Sequence, residues 1–331
     1  MITALALTSL LAVSGPAPGL AAPEVRSLVA DRADTAFDAG RAGFRVVVRG
    51  VEIPYRVFHV SALPGEDLLL RVLPPEERAR RGGYTLRAGA GTVRRRGPRS
   101  WSWTAPTREG SVHRLVVTDT ARADSMVLNG FVLVPARRIE NGRLDGYRLG
   151  SFPTPAYRGL RQYRPPRGYL QLTPDRVGVR LSPHFTLGQF PCHRPHRWPK
   201  YLPPGPKMVL KLERMLQELN ERGIRATGFT VMSGYRSPWY NTRLLGRPRY
   251  SRHIYGDAAD VFVDEDEDGY MDDLDGDGRV TIADAEVLFG IADAIDREDG
   301  GNPLTGGLWK YPETSTHPPF VHVDTRGFLA R

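Results

Sequence analysis

The sequence has very little cysteine: Cys192 is the only one among 331 residues. An intrachain disulfide bond is therefore impossible, but a chain of this length is stable without one, so this neither requires nor excludes export. The sequence also lacks a recognisable nucleic-acid-binding motif, and we expect no nucleic-acid partner. Its formal net charge of +9 still suggests attraction to anionic surfaces, which include cell-wall polymers and lipid head groups.

No apolar run is long enough to cross a membrane. Residues 1–13 are apolar but too few to span a bilayer, and small residues follow them up to Ala21 and Ala22. This pattern predicts that residues 1–22 are a secretory signal peptide. We therefore expect a secreted, periplasmic or cell-envelope protein without a membrane-spanning segment after cleavage. Because no Lys or Arg precedes Arg26, a buried N-terminal segment is the alternative.

Residues 23–135 consist of short alternating apolar segments separated by turn residues. Predicted strands cover residues 44–48, 55–60, 67–72, 112–118 and 126–134. Strands at this spacing predict an all-β, sandwich-like antiparallel domain. Trp101 and Trp103 lie on one face of a further strand, where core packing is favoured over a sugar-binding platform. Residues 136–180 are predicted to form an irregular connector that packs on one of the domains.

The second half, residues 181–331, combines helical and strand patterns. Apolar spacing predicts an amphipathic helix over 208–222 that ends at Gly223. Predicted strands cover 227–232, 260–263 and 320–324, and a short helix is expected at 240–245. The predicted fold class is therefore α+β, a small antiparallel sheet with packed helices. Cys192, His193 and His196 lack an evident fourth metal ligand, so we interpret Cys192 as a packed side chain.

Three residues in this half form a candidate metal site. His253 and Asp260 bracket a glycine-containing turn, and His322 follows in the last predicted strand. Two imidazoles and one carboxylate, with a fourth position left for water, are the ligands of a hydrolytic zinc site. A hydrogen-bonded His and Asp in a turn is the alternative, and the ligand types would also suit iron.

The pattern Ser251-x-His253-x-x-Gly256-x-Ala258-x-Asp260, followed by His322, resembles the M15 family of zinc D,D-peptidases. These enzymes cut D-alanine-containing peptides of bacterial cell walls. Further stretches, at residues 182–187, 233–238 and 307–325, resemble the subgroup close to the murein endopeptidases. The resemblance covers residues 181–331, apart from one insertion, and implies zinc at the three ligands and a peptidoglycan peptide as substrate.

The resemblance also suggests catalytic residues. Arg236 lies where the family has a basic residue that holds the substrate carboxylate or the developing oxyanion, and a guanidinium suits both roles. Pairing with a structural carboxylate is the alternative for Arg236. Many members carry an acidic general base three residues before the last His, where this chain has Pro319. His317 is the leading substitute, and Asp257 and Asp324 are weaker candidates.

The insertion at residues 264–286 contains two overlapping patterns with the spacing of twelve-residue calcium loops. The favoured second pattern, followed by a predicted helix at 285–295, comprises Asp273, Asp275, Asp277, Arg279 and Asp284. The weaker first pattern runs from Asp264 to Asp275 and includes Asp272, with Asp264, Asp266 and Asp268 as its predicted ligands. Because the loops overlap, they cannot both be complete, independent sites. We expect calcium to brace the strand of Asp260, and a solvated acidic loop is the alternative.

Together these patterns predict an exported zinc metallopeptidase that hydrolyses D-amino-acid-containing peptide bonds of peptidoglycan, as a D,D-carboxypeptidase or an endopeptidase. A catalytically inactive M15-fold module that keeps zinc and binds cell-wall peptide or a protein is the second hypothesis. A calcium-dependent adhesion protein is the third. A base within hydrogen-bond reach of the metal site would favour the enzyme over the binding module.

Overall fold

Alternating apolar residues in the first half form nine strands that build two facing sheets. A computed structural model describes residues 37–75, 83–191, 198–298 and 302–331. The predicted signal peptide at 1–22 and the Cys192, His193 and His196 group lie outside these residues. The nine strands are β1 (Arg41–Val48), β2 (Val51–Tyr55), β3 (Val57–Ala62), β4 (Asp67–Leu73), β5 (Tyr84–Ala88), β6 (Thr92–Gly97), β7 (Ser100–Thr104), β8 (Val112–Asp119) and β9 (Asp124–Val132).

The two sheets have the orders β2-β1-β4-β7-β6 and β3-β9-β8-β5. All neighbouring strands are antiparallel except β3 and β9, which pair in parallel. Trp101 and Trp103 on β7 are 5% and 0% exposed, and the Trp103 indole donates to the Ala90 carbonyl at 2.8 Å. The core interpretation of both tryptophans is therefore confirmed.

Two predicted strands were wrong in their extent. The segment 55–60 is divided at Arg56, because β2 and β3 belong to different sheets. The segment 126–134 ends at Val132, and Val134–Pro135 pairs in another sheet. At the first break the buried apolar positions change from odd to even numbers, from Tyr55 to Phe58, and at the second all of residues 130–135 are buried. A pattern of apolar residues in the sequence predicts which side chains are buried, but it does not predict which sheet a strand joins.

The predicted connector contains strands of its own. With the strand before the connector and the strand after it, they are β10 (Val134–Pro135), β11 (Arg143–Leu144), β12 (Tyr147–Arg148), β13 (Gly168–Leu172) and β14 (Lys200–Leu202). Because β13 pairs with both β10 and β14, this segment contacts the first and second halves, not one of them alone. Residues Phe37–Arg331 form one unit with a hydrophobic core that extends through both halves.

The second half forms a mixed layer of helices and sheet. Its elements are α1 (Pro206–Glu221), β15 (Thr230–Ser233), β16 (Ala258–Phe262), α2 (Ile282–Asp296), β17 (Leu308–Tyr311) and β18 (Phe320–Asp324). The sheet is antiparallel, with the order β15-β16-β18-β17. Helix α2 packs on β17 and β18, and α1 packs on α2. The protein thus has a strand-rich fold of mixed helices and strands, in which the sheets are mainly antiparallel.

Short helical turns connect these elements. They lie at Ala136–Arg138, Tyr157–Gly159, Arg161–Tyr163, Pro174–Arg176, Leu187–Gln189, Tyr240–Leu244 and Arg252–Tyr255. The predicted long helix begins two residues earlier than expected, because Pro206 is favourable in the first turn, and the chain turns away at Gly223 with φ of 83°. Among the described residues, no helix is both long and apolar enough to cross a membrane.

Lys211 is a buried cation on the apolar side of α1. Its side chain is 0% exposed, and its Nζ donates to Asp296 Oδ1 at 2.5 Å and to the Asp324 carbonyl at 3.1 Å. Arg331 contacts the second oxygen of Asp296 at 3.2 Å. Lys211 therefore links α1 to α2 and to the end of β18.

Replacing Lys211 by Met should lower the free energy of unfolding by about 3 kcal/mol, because it leaves Asp296 buried with only part of its compensation. Arg214→Met is the matched control on the same helix. It removes a partly exposed ion pair with Glu298 and should cost no more than about 1 kcal/mol. Urea unfolding of both variants measures the difference, and equal losses would contradict the role of Lys211.

Candidate metal centre

Three side chains meet on the face of the second-half sheet. His253 Nε2 lies 3.1 Å from His322 Nδ1 and 3.2 Å from Asp260 Oδ1, and His322 Nδ1 lies 2.7 Å from the same oxygen. All three residues are at most 9% exposed. The structure therefore brings together the three residues that the sequence predicted as zinc ligands.

Strand register explains how residues far apart in sequence meet here. Asp260 on β16 pairs with His322 on β18, and the same row continues to Ser233 on β15 and Trp309 on β17. Side chains of paired residues lie on the same face of a sheet. Asp260 is the third of five residues in β16, not at the head of the strand as predicted.

His253 reaches the site from the turn Arg252–Tyr255. Gly256 ends this turn with φ of 74°, a left-handed conformation that glycine adopts without strain, and the chain then enters β16. The Nδ1 atom of His253 is 2.7 Å from the Gly234 carbonyl, so Nδ1 carries the proton and donates it there. The lone pair of Nε2 then faces Asp260 and His322, as in a metal-ligating imidazole.

His322 is oriented by a second carboxylate. Its Nε2 lies 3.5 Å from Asp324 Oδ2, while Nδ1 faces Asp260. Burial alone would lower the pKa of His322, but hydrogen bonds to Asp260 and Asp324 outweigh it and raise this pKa to about 9. Asp324 accepts hydrogen bonds from the Gly307 N–H at 2.7 Å and from Arg326, and its pKa lies well below the usual range despite burial.

Asp260 uses its two oxygens differently. Oδ1 faces the two imidazoles, and Oδ2 accepts a hydrogen bond from Arg236 Nη2. Burial opposes ionisation, but the neighbouring His253 and His322 hold the pKa of Asp260 well below its ordinary value. Arg236 also donates to Ser233 Oγ at 2.8 Å. In this structure Arg236 therefore positions Asp260, the arrangement that the sequence offered as its alternative role.

The donor set fits zinc. Two imidazole nitrogens and one carboxylate oxygen, with all three ligand atoms within 4.8 Å of one another, match the protein ligands of a catalytic zinc ion. Each ligand has an outer hydrogen-bond partner, as metal-binding histidines and carboxylates usually do. These partners are the Gly234 carbonyl, Asp324 and Arg236.

The three candidate general bases, His317, Asp324 and Asp257, have different contacts. His317 Nδ1 is 2.9 Å from the Pro318 carbonyl, and its ring packs edge-on against Phe320, two residues before His322 on β18. Asp324 lies on the Nε2 side of His322, away from Asp260, so it supports a ligand. Asp257 pairs with Arg252 instead.

Two aromatic residues beside the site were not predicted. Trp309 and Tyr311 on β17 pair with His322 and Phe320, and the Trp309 ring centre is 5.5 Å from that of His322. Burial and the charge of Asp260 raise the pKa of Tyr311. In the sequence, the only signal for Trp309 and Tyr311 was their spacing of two residues, which is also the spacing of Phe320 and His322. The pairing of β17 with β18 was not evident from the sequence.

The predicted second calcium loop brings together three carboxylates. One oxygen from each of Asp273, Asp275 and Asp277 lies within 4.8 Å of the others. Gly276 and Gly278 have φ of 79° and 82°, so the loop needs glycine at both turns. Backbone N–H groups at both glycines donate to Asp273 at 2.7 Å.

The two other predicted residues of this loop have local partners. Asp284 is 0% exposed and accepts backbone hydrogen bonds from Leu274 and Thr281, both at 2.7 Å, so it caps the start of α2. The Arg279 N–H donates to Asp277 at 2.8 Å. Neither the Asp284 carboxylate nor the Arg279 side chain is part of the three-carboxylate group.

The first loop has a different third residue from the predicted one. Asp264 and Asp266 group with Asp272, whereas Asp268 accepts the Tyr270 N–H at 2.7 Å. Asp264 Oδ1 is buried and has no hydrogen-bond partner in the described parts of the chain. Burial and the charges of its two partners raise the pKa of Asp272. A bound cation would remove this repulsion.

No protein-family model, curated protein or solved structure matches this chain. The M15 resemblance therefore rests on the motifs at residues 181–331, and the geometry of the site stands independently of it.

Asp324→Asn should weaken zinc binding by about 10- to 100-fold, because Asn keeps the shape but removes the negative charge that orients His322. Competition with a chromophoric chelator measures the affinity. Glu298→Gln, a partly exposed carboxylate change near the helix ends, is the control and should leave it unchanged. An unaltered affinity in Asp324→Asn would show that this carboxylate does not support a metal ligand.

Proposed function

We propose that this protein is an exported zinc metallopeptidase of the M15 type that hydrolyses D-amino-acid-containing peptide bonds of peptidoglycan, as a D,D-carboxypeptidase or an endopeptidase. The observation that carries the proposal is the convergence of His253 Nε2, Asp260 Oδ1 and His322 Nδ1, each with an outer partner. The motif around them and the peptidoglycan substrate come from the family resemblance.

Zinc at this site would supply a Lewis acid that makes water nucleophilic near neutral pH and polarises a carbonyl group. The protein supplies orientation. His253 Nε2 and His322 Nδ1 would have to be free of a proton to bind the metal, and Arg236 holds Asp260 so that one oxygen faces them. Arg236 Nη1 has no hydrogen bond among the described residues, which leaves it for a substrate carboxylate or a developing oxyanion.

His317 is the proposed general base. It precedes His322 by five residues and is only partly buried. Its ring packs edge-on against Phe320, which lies on the same face of β18 as His322. Movement of one proton from water to the leaving amine needs a group that can accept and then donate a proton, and an imidazole side chain can do both. Tyr311 on β17, which pairs with Phe320, is a second polar group on this face of the sheet.

A specific observation also supports the binding module as second candidate. The carboxylates nearest to the imidazoles are Asp260 and Asp324, and both are engaged by arginine. Pro319 occupies the position of the usual acid. A protein with this arrangement could hold zinc and a cell-wall peptide without cleaving it.

Zinc-loaded protein should release peptide fragments or terminal D-alanine from purified peptidoglycan, detected by mass spectrometry. His253→Ala should abolish release, whereas His113→Ala, a histidine of the first half, should not change it. His317→Gln should lower the rate by about 100-fold or more if His317 is the base.

Absence of any product from protein that contains one zinc per chain would overturn the peptidase and favour the binding module. Full activity of His317→Gln would exclude that base, and Tyr311→Phe would then be the next variant to measure.

We also propose that the insertion binds calcium. Val263 directly follows β16, and its carbonyl accepts the Asp272 N–H at 3.0 Å, so the first loop is tied to the strand of Asp260. The second loop leads into α2, which packs on β17 and β18. Calcium would therefore brace the sheet that carries the zinc ligands without taking part in the reaction.

Calcium should raise the melting temperature of the protein, and removal of the ion should reverse the increase. Asp275→Asn should reduce the increase. Asp272→Asn should reduce it more than Asp268→Asn, because the structure groups Asp272 with Asp264 and Asp266. Thermal unfolding with calcium, and with magnesium as control, measures these shifts. Equal melting temperatures with and without calcium would show a merely solvated acidic loop.

A further inference from the structure

One loop supplies the outer partners of two of the three candidate metal ligands. This Arg236 loop comprises residues 234–239, between the end of β15 and the helical turn that follows. The Gly234 carbonyl accepts a hydrogen bond from His253 Nδ1 at 2.7 Å, and Arg236 Nη2 donates to Asp260 Oδ2. A shift of the loop would therefore displace the contacts that orient both His253 and Asp260.

Backbone hydrogen bonds join the Arg236 loop to other parts of the chain. Three of its N–H groups donate to carbonyls outside it, namely Tyr235 to Phe190 at 2.7 Å, Arg236 to His253 at 3.2 Å and Trp239 to Leu149 at 2.9 Å. The first two carbonyls belong to the second half of the chain. The third belongs to the connector, directly after the hairpin formed by β11 and β12. The connector therefore holds the end of the loop at Trp239.

Two further contacts join the connector to Trp239. The Arg148 guanidinium carbon lies 4.1 Å from the centre of the Trp239 ring, which is a cation–π geometry. Gly150 has φ of 80°, and a Cβ atom there would lie 2.7 Å from Trp239 Cβ and 2.8 Å from its nitrogen. A side chain would not fit in this space. The backbones approach this closely because residue 150 is glycine.

The hairpin has contacts of its own that keep it in place. The Gly142 carbonyl accepts hydrogen bonds from the N–H groups of Leu149 and Gly150, both at 2.9 Å. Leu149 is 0% exposed, and the Tyr147 ring packs edge-on against Tyr201 of β14, with 6.0 Å between the ring centres. Because these contacts fix the backbone at Leu149, its carbonyl offers the Arg236 loop an acceptor at a defined position.

We propose that Arg148, Leu149 and Gly150 are positioning residues for the metal centre. They hold Trp239, and through it the Arg236 loop, where the loop orients two candidate ligands. The connector lies outside residues 181–331, so zinc binding depends on a part of the chain that the M15 resemblance does not cover. This inference rests on the proposed zinc site but not on peptide hydrolysis.

The first test compares Gly150→Ala with Gly146→Ala in the full chain. Both glycines have positive φ, 80° and 81°, so alanine strains the backbone to a similar extent at both. Apart from chain neighbours, no atom of the described residues lies within 4 Å of a Cβ at residue 146, whereas a Cβ at residue 150 displaces Trp239. Gly150→Ala should weaken zinc binding by about tenfold, the lower end of the loss caused by removing an outer partner itself. Gly146→Ala should leave the affinity unchanged in competition with a chromophoric chelator.

Arg148→Ala and Arg148→Lys test the stacked guanidinium. Alanine should weaken zinc binding by about two- to fivefold, the value of an exposed cation–π contact, and lysine should restore part of this loss because it keeps a cation over the ring. Arg143→Ala is the control, since Arg143 lies opposite Arg148 in the hairpin and donates to the Gly146 carbonyl at 3.1 Å. The absorption bands of the cobalt-loaded protein, which depend on ligand geometry, should shift in Arg148→Ala but not in Arg143→Ala.

Amide hydrogen exchange of the metal-free protein tests the loop without zinc. The Arg236 and Trp239 amides should exchange about tenfold faster in Gly150→Ala than in Gly146→Ala, because their hydrogen bonds open more often. The amides of β8 and β9 are the internal reference, and their unchanged exchange distinguishes local loosening from unfolding. If Gly150→Ala does not fold, Arg148→Ala is measured in its place.

Unchanged exchange of the loop amides in both Gly150→Ala and Arg148→Ala, or wild-type zinc affinity in both, would overturn the proposal. An equal loss of affinity in Gly150→Ala and Gly146→Ala would also overturn it, because backbone strain would then be the cause. If the wild type bound no zinc, the proposed function would fail, whereas faster exchange of the loop amides in Gly150→Ala would still support positioning of the loop by the connector.

Discussion

A buried ammonium group holds the second half of this protein together. Lys211 has no exposed surface, and its hydrogen bonds join α1 to Asp296 on α2 and to the backbone of Asp324 at the end of β18. A charge in an apolar interior is stable only when it is paired and hydrogen-bonded, so these contacts fix the distances between the elements. The same strand end carries the carboxylate that orients His322, so helix packing and site geometry are coupled.

At the candidate metal centre, side chains that can carry opposite charges alternate in a row across the sheet. Arg236 holds Asp260, Asp260 faces His322, and Asp324 with Arg326 lies on the far side of His322. Each group stabilises the charge of its neighbour and thereby its position. The strands β16 and β18 carry two of the three candidate ligands, so the sheet fixes the relative positions of these side chains.

The turn at Arg252–Tyr255 serves two surfaces. His253 points to the metal centre, whereas Arg252 and Tyr255 line a cavity on the side of the first half. The first half contributes Arg49 and Glu66 to that cavity and shares the hydrophobic core with the second half. The first half therefore forms part of the wall of this cavity and packs against the second half through a common core.

Local patterns in the sequence were sufficient for the amphipathic helix α1, the last strand and the two core tryptophans, because burial follows periodicity along one element. The spacing from Ser251 to Asp260 with His322 was sufficient to predict the three side chains that meet at the candidate metal centre. Strand pairing decided that segment 55–60 divides between two sheets and that Trp309 and Tyr311 lie on the strand next to His322. Side-chain contacts decided that Arg236 holds Asp260 and that Asp272, not Asp268, groups with Asp264. These contacts join residues whose separation along the chain carries no periodic signal, so only the tertiary structure could decide them.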